Sequence, residues 1–325
     1  MKKVFKILGI LVLLLIVAVV GVGFYIHQFL PNTGPAPELK IEITPERVEH
    51  GRYLANHVMV CMDCHSTRNW GEFSGPPIEG TLGKGGDRFD HNLSLPGIFY
   101  ARNITPAGLG NWTDGEIFRA ITTGVTRDGR ALFPLMPHPA YGTLDKEDIY
   151  DVIAYLRSIP AIENEVPPAQ PDFPFSLILK TIPQKANFTQ RPDTSNKLAY
   201  GKYLVTAATC IDCHTPFEKG KLVFEKAFSG GRQFPLPSGT LTSPNITPHE
   251  TGIGNMTEEA FIERFRQYSD STGKHLPVAP DEYNTIMPWT MYAGMTDQDL
   301  STIYTYLRSL PPVENKVTKF VRRTP

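Results

Sequence analysis

The segment CMDCH at residues 61–65 recurs as CIDCH at residues 210–214, and together these two segments hold all four cysteines of the 325-residue chain. Two cysteines three residues apart with a histidine directly after them form the attachment signature of haem c. The thiols reach the vinyl groups on one edge of a porphyrin, and the imidazole reaches the iron from one side. The sequence therefore predicts two covalently bound haem c groups, held by Cys61, Cys64 and His65 and by Cys210, Cys213 and His214.

Paired cysteines have three other common uses in proteins. A zinc site built from two such pairs usually separates them by some 15 to 20 residues, whereas these pairs lie about 150 residues apart. A redox-active cysteine pair does not need the histidine. Structural disulfides are possible in an exported protein but give no reason for His65 and His214. Zinc therefore stays an alternative for a binding module, and haem c is the prediction.

The sequence around each motif is repeated as well. GRYLANHVMVCMDCH from Gly51 returns as GKYLVTAATCIDCH from Gly201, and the segments NITP and MP follow in the same order in both copies. Two copies at this period are too few and too long for a solenoid, so they predict a tandem pair of domains. The proline-rich stretch between the copies predicts a linker. The predicted boundaries are residues 46–166 for the first repeat, 167–192 for the linker, 193–316 for the second repeat and 317–325 for a short basic tail.

Each repeat has a mainly helical pattern. A first helix is expected after Pro45 or Pro192, leading into the cysteine motif. A second is indicated by Thr113 with Glu116, which form a capping-box pattern, and in the other copy by Thr257. A third is capped by Asp145 or Thr296 and carries apolar residues on one face. Long loops rich in glycine and proline, with little alternation, give no strong sign of strands.

The iron needs a sixth ligand or an open site, and that choice separates an electron carrier from a catalyst. Met136 and Met287 stand at matched positions, each followed by proline, and we expect both to ligate iron rather than fill the core. His138 is a rival in the first repeat, but its counterpart is Trp289. Met291 and Met295 are rivals in the second repeat, where neither has a methionine counterpart.

The N-terminus predicts a membrane anchor. Residues 7–26 carry no charge over twenty positions, long enough for a helix to span a bilayer core. Lysines precede this stretch, so the remainder of the chain is expected outside the cytoplasm, anchored by residues 1–30. A cleaved signal peptide is the alternative, weakened by the length of the apolar run. Residues 31–45 are rich in proline and predict a semi-stiff spacer.

Composition narrows the class of partner. The 32 basic residues against 33 acidic ones leave a net charge of −1, so nothing indicates a nucleic-acid partner. A hydrophobic content of 41% is sufficient for the cores of two domains.

The run NITPAGLGNWTDGEIFRAITTGVTRDGRALFPLMPHPAYGTLDKEDIYDVIAYLRSIP, together with the attachment motifs, resembles the cytochrome c domains of the membrane-bound cytochrome subunits of bacterial alcohol, gluconate and sorbitol-type dehydrogenases. The resemblance covers most of residues 46–160 and 193–311. It implies two tandem class I cytochrome c domains, with Met136 and Met287 as distal ligands. It also implies that the helices at Gly51 and Gly201 cross the last helices near Tyr155 and Tyr306.

The chain departs from that family pattern in several places. Those subunits commonly carry three haem domains and an anchor toward the C-terminus, so the particular dehydrogenase partner is not implied. Trp112 becomes Met256, and the second repeat has the extra residues SDSTGKHLPVAPDEY before its Met-Pro loop, so the two haems are expected to differ. Trp112 is a candidate for a hydrogen bond to a haem propionate. The arginines considered for the same role are Arg102, Arg119, Arg130 and Arg232.

The predicted function is electron transfer by a dihaem cytochrome c tethered to the bacterial inner membrane, with its globular part on the periplasmic side. Electrons would pass between a donor, such as a dehydrogenase or quinol-oxidising complex, and an acceptor, such as a terminal oxidase or soluble carrier. No catalytic activity of its own is expected. The alternative is a dihaem enzyme, peroxidase-like or thiosulfate-oxidising, in which one haem has an exchangeable ligand.

Overall fold

The structure, a computed structural model, describes residues 1–323 and is mainly helical, as predicted. The helices have these bounds: α1 Lys2–Phe29, α2 Pro45–Tyr53, α3 Cys61–Cys64, α4 Pro106–Leu109, α5 Asp114–Thr123, α6 His138–Tyr141, α7 Lys146–Ser158, α8 Phe175–Ile178, α9 Lys197–Ala207, α10 Cys210–Cys213, α11 Glu258–Arg266, α12 Ser271–Lys274, α13 Trp289–Tyr292 and α14 Asp297–Arg308.

Short strands that the sequence did not indicate connect these helices. They are β1 Arg88–Phe89, β2 Gly97–Tyr100, β3 Gln170–Pro171, β4 Phe217–Glu218, β5 Lys221–Leu222, β6 Gln233–Leu236, β7 Gly239–Thr242 and β8 Phe320–Arg322. All pairings are antiparallel, in the orders β1-β2-β3, β4-β5 and β6-β7-β8. Strands of two to four residues are too short for an alternating pattern to stand out in the sequence.

The predicted helix caps are confirmed. Thr113 and Glu116 form a complete capping box at the start of α5. Asp145, Thr257 and Thr296 cap α7, α11 and α14 by accepting a backbone N–H. The first helix of the second repeat begins later than expected after Pro192, at Lys197, because Asn196 provides its cap.

In each repeat the first helix crosses the last one at a glycine, as the family resemblance implied. A Cβ added to Gly51 of α2 would lie 1.8 Å from the backbone oxygen of Asp151 and 3.0 Å from the Cβ of Tyr155 in α7. A Cβ added to Gly201 of α9 would lie 2.1 Å from the oxygen of Thr302 in α14. Only a residue without a side chain allows this approach, so both crossings depend on glycine.

The two repeats reach their cysteine motifs through different helical geometry. Nine residues separate Gly51 from Cys61, but only eight separate Gly201 from Cys210. The extra residue of the first repeat is absorbed in a π-helical turn, Leu54–Val58, that continues α2. A π-turn inside a helix accommodates a single inserted residue and often lies near a functional site.

The spacer and the linker lie against the globular part, whereas helix α1 is exposed along its length. Helix α1 is long and apolar enough to span a membrane, and none of its residues is buried. Because it lies near the N-terminus, a signal sequence would have the same length and composition. The spacer, residues 31–45, contacts α5, where a Cβ on Gly115 would lie 1.8 Å from the oxygen of Pro37. In the linker, the backbone amide of Asn187 donates to the oxygen of Gly142, and Lys180 donates to the oxygen of His27 at the end of α1.

Candidate haem attachment sites

The two cysteine motifs adopt the same local structure. Each forms a single helical turn, α3 or α10, so its cysteines project from the same side three residues apart. The residue before each turn is β-branched and left-handed, Val60 with φ 47° and Thr209 with φ 50°. Such residues rarely adopt this conformation, and backbone strain of this kind concentrates at functional sites.

The histidine that follows each turn is oriented by a backbone carbonyl. Nδ1 of His65 lies 2.7 Å from the oxygen of Arg102, and Nδ1 of His214 lies 2.9 Å from the oxygen of Pro244. A carbonyl only accepts, so Nδ1 carries the proton and Nε2 keeps its lone pair. In the described part of the chain, neither Nε2 has a hydrogen-bond partner. A neutral imidazole held in this way is the arrangement that metal-ligating histidines require.

Burial favours the same protonation state. It lowers the pKa of both His65 and His214 from the ordinary value of 6.5, with a smaller opposing effect from the carbonyl bond. Both imidazoles are therefore neutral at pH 7 and able to ligate iron. The residues of both motifs thus fit a covalently attached haem, which would supply one-electron redox chemistry.

The Met-Pro loops close on the cysteine motifs through a tyrosine in each repeat. Tyr141, five residues after Met136, donates to the oxygen of Met59, two residues before Cys61, at 3.1 Å. Tyr292, five residues after Met287, makes the matching bond to the oxygen of Ala208 at 3.0 Å. Both methionines are half-buried beside the hydrophobic core. The matched bonds show that each methionine loop belongs to the cysteine motif of its own repeat.

A buried ion pair supports the first motif. Asp63 and Arg68 are 3.0 Å apart, with only 6% and 5% of their side chains exposed. Burial raises the pKa of Asp63 to about 6, and the positive charge of Arg68 partly opposes this effect. Arg68 also donates to the backbone oxygens of Gly75 and Ser74, both at 2.9 Å. The ion pair therefore ties the motif to the loop that follows it.

The other candidates for the sixth iron ligand, His138, Met291 and Met295, are buried inside the protein. His138 is fully buried, its ring covers the backbone of Gly124, and neither ring nitrogen has a partner among the described residues. Burial lowers its pKa to about 4. Met291 and Met295 belong to the hydrophobic core, with 7% and 2% exposure.

The arginines considered for haem propionates are engaged with the protein. Arg102 donates to the oxygens of Val166 and Pro167, and Arg119 donates to the oxygen of Thr126. Arg130 pairs with Asp128, and Arg232 donates to the oxygen of Asp212 in the second motif. The carbonyl of Trp112 accepts from Arg157. These contacts stabilise the loops, and a role of these arginines toward a haem propionate stays a prediction.

The alternatives of zinc and disulfides gain nothing from the structure. All four cysteines are free. Within residues 1–323, one group of three potential ligands lies within metal-binding distance, His50, Asp148 and Asp151, and it contains no cysteine. Arg47 donates to Asp151 and Arg191 donates to Asp148, so these carboxylates already have cationic partners.

Sequence reasoning missed the polar contacts between the repeats. Tyr203 of the second repeat donates to Asp148 of the first, and Tyr53 of the first donates to Asp299 of the second. The sequence did offer a sign of these contacts, because both tyrosines and both aspartates occupy matched positions in the two repeats. Their pairing across the repeats could not be read from that match alone.

Comparison with known proteins identifies the kind of domain. Residues 198–311 match the family model for cytochrome c. The cytochrome c subunit of quinone alcohol dehydrogenase from Gluconacetobacter polyoxogenes is 29% identical over 286 residues, covering 82% of this chain and 56% of the relative. The fructose dehydrogenase cytochrome subunit from Gluconobacter japonicus is 30% identical over 284 residues, covering 81% of this chain and 52% of the relative.

Another relative is similar in length to this chain. A diheme cytochrome c-type protein from Cereibacter sphaeroides is 27% identical over 243 residues, covering 71% of this chain and 76% of the relative. The chain spans about half the length of the dehydrogenase subunits that it matches. The predicted resemblance is confirmed: the chain contains a cytochrome c domain, which implies covalently bound haem c and electron transfer, and its relatives are cytochrome c subunits of dehydrogenases and a diheme cytochrome.

Proposed function

We propose that this chain binds one haem c in each repeat, residues 46–166 and 193–316, and passes single electrons between a redox donor and an acceptor. The observation that carries this proposal is the matched geometry of His65 and His214, each with Nδ1 on a backbone carbonyl and Nε2 free directly after a cysteine turn. The family model covers the second repeat alone, and the equivalent geometry supports extending the assignment to the first.

In this proposal Met136 and Met287 would ligate the two haem irons together with His65 and His214. Thioether ligation would raise the reduction potential and close the iron to substrates, which suits an electron carrier. Both methionine loops are joined to their cysteine motifs by the bonds of Tyr141 and Tyr292. The chain's own residues then orient the histidine, hold the methionine loop and exclude water.

The partners are proposed from the relatives. Because those are named as subunits of alcohol, fructose and gluconate dehydrogenases, a dehydrogenase is the proposed electron donor. A terminal oxidase or a soluble carrier is the proposed acceptor. Helix α1 is proposed to hold the chain in the inner membrane with the repeats on the periplasmic side, because lysines precede its apolar stretch.

The test is a count of haems per chain together with the near-infrared ferric spectrum, in which sulfur–iron ligation gives its own charge-transfer band. We expect two haems, and a band that is halved by either Met136→Ala or Met287→Ala. Met291→Leu is the matched control, because it changes a core methionine of the second repeat and should leave the band intact. If the wild type showed the band for one haem only, or a high-spin haem that binds cyanide, the electron-carrier proposal would be rejected. The dihaem enzyme would then be the better explanation.

A further inference from the structure

Ser74 belongs to the loop after the first cysteine motif, yet its side chain reaches the methionine loop of the second repeat. The hydroxyl of Ser74 donates to the backbone oxygen of Met287 at 2.6 Å. It also accepts from the backbone amide of Trp289 at 2.9 Å. Ser74 is fully buried. One hydroxyl from the first repeat therefore fixes the backbone on both sides of Pro288.

Two hydrogen bonds hold the backbone of Ser74 in place. Its backbone is left-handed, with φ 68°, a conformation that serine adopts at a cost. Its amide donates to Oδ1 of Asn284 at 2.9 Å, and its oxygen accepts from Arg68. Arg68 is paired with Asp63 of the first cysteine motif. A continuous polar path thus runs from the first motif to the Met287 loop.

The extra residues of the second repeat secure this contact. The amide of Phe73 donates to the oxygen of Leu276 at 2.8 Å, and the amide of Val278 donates to the oxygen of Gly71 at 2.9 Å. Asn284 also donates to the oxygen of Glu72 at 3.1 Å. The insertion and the loop at residues 69–75 therefore pair along their backbones, which places the hydroxyl of Ser74 under Met287.

The first repeat has no equivalent contact. Met136 and Met287 share the local bond in which the amide two residues later donates to the methionine oxygen, at 2.7 and 2.8 Å. Among the described residues, no side chain hydrogen-bonds to the backbone of residues 136–138. The second methionine loop is thus braced by the other repeat, and the first is not.

We propose that Ser74 is a positioning residue for Met287, so that the first repeat sets how firmly methionine binds the second haem. The inference rests on the proposed function, in which Met287 ligates iron. A distal methionine is a weak neutral ligand on a loop, and partners that orient such ligands typically change metal affinity by about 10–100-fold when removed. Losing the hydroxyl frees the Met287 loop and lowers the reduction potential of one haem.

The experiment uses the full-length haem-loaded protein and three single variants, with Met287→Ala as a second background. Ser74→Ala and Ser74→Gly both lack the hydroxyl, but glycine tolerates the left-handed backbone, so Ser74→Gly tests the hydroxyl even where the alanine variant fails to fold. Ser195→Ala is the matched control, because Ser195 is exposed at a distance in sequence from both motifs. The readouts are the apparent affinity for imidazole, which competes with methionine, and the potential of each haem.

We expect Ser74→Gly to bind imidazole about tenfold or more tightly at one haem, in line with the usual effect of losing a ligand-orienting partner. The other haem, and both haems of Ser195→Ala, should match the wild type. The change should vanish in a Met287→Ala background, where Ser74 has no ligand to position. Wild-type affinity and potentials in Ser74→Gly, or an effect that persists without Met287, would overturn the inference. Absence of methionine ligation in the wild type would instead reject the proposed function.

Discussion

Tyr203 of the second repeat donates a hydrogen bond of 2.5 Å to Oδ2 of Asp148 in the first repeat. The same hydroxyl accepts from the amide of Asp145 at 3.0 Å. Tyr53 makes the reciprocal pair of bonds, to Asp299 and from the amide of Thr296. Each repeat therefore offers the tyrosine of its first helix to the N-terminus of the last helix in the other repeat, and the interface has approximate two-fold symmetry.

Replacing Tyr203 by phenylalanine should destabilise the protein by about 1.5–3 kcal/mol, the usual range for a hydrogen bond to a charged group. The reason is that Asp148, with 3% of its side chain exposed, loses its tyrosine donor and keeps the exposed Arg191 at 2.7 Å and His50 at 3.9 Å. The free energy of unfolding in urea measures the effect. Tyr150→Phe is the control, because the hydroxyl of Tyr150 has no hydrogen bond among the described residues. Equal stability of the two variants would contradict the prediction.

The helix crossings predict that Gly51→Ala and Gly201→Ala are severely damaging. An added Cβ would lie 1.8 or 2.1 Å from a backbone oxygen, so a helix must move, at a cost of more than about 3 kcal/mol, the upper end for overpacking. The yield of haem-loaded protein and its unfolding midpoint are the measurements. Gly71→Ala is the control, because its Cβ would meet a side-chain oxygen of Asn69 at 3.3 Å that can shift. Normal yields of both crossing variants would show that the helices are not tightly packed.

His57 predicts that the contact between repeats weakens in acid. Burial lowers the pKa of His57 below its ordinary 6.5, although the bond of its Nδ1 to the oxygen of Met291, 2.9 Å long, opposes this. A base with a depressed folded pKa contributes stability that is present above 6.5 and lost as the pH falls below it, because the unfolded chain binds the proton first.

The measurement is the free energy of unfolding between pH 8 and pH 5 for the wild type and His57→Asn. The amide of asparagine can still donate to Met291 but does not titrate. We expect the wild type to lose more stability than the variant as the pH falls through 6.5. Parallel curves would mean that His57 titrates normally in the folded protein.

Gly294 predicts a specific coupling across the same interface. A Cβ on Gly294 would lie 2.1 Å from Nδ1 of His57, so Gly294→Ala should displace the imidazole and cost about 1–3 kcal/mol. His57→Ala removes the ring, and the double variant should then recover part of that loss. A coupling energy of about 0.5–3 kcal/mol is expected in a double-mutant cycle. Additive losses would place the strain elsewhere.

Much of the local structure was predictable because its causes are local. The capping residues Thr113, Asp145 and Thr296 satisfy orphan N–H groups within three residues, so their type and spacing identified the helix starts. The glycine crossings were implied by family resemblance. The strands were missed, since they are too short to show a period.

Several non-local features were outside the reach of sequence reasoning. The spacer at residues 31–45 was expected to stand between membrane and globule, and the structure packs it on α5. Arg102, Arg119 and Arg232 donate to backbone carbonyl oxygens, contacts that the sequence did not indicate. In each case the outcome depends on which backbone groups come near the side chain after folding.

The sequence by itself indicated haem attachment. The two CxxCH motifs, and Met136 and Met287 at matched positions, are defined by spacing along the chain, which does not change on folding. The sequence also showed that the copies differ, but tertiary structure alone decided what the extra residues of the second copy contact. The insertion at residues 269–283 pairs with the loop at residues 69–75 and brings Ser74 under Met287, a contact between positions more than 200 residues apart. Such contacts follow from the packing of one repeat on the other, and a repeated sequence specifies the two halves without specifying their mutual orientation.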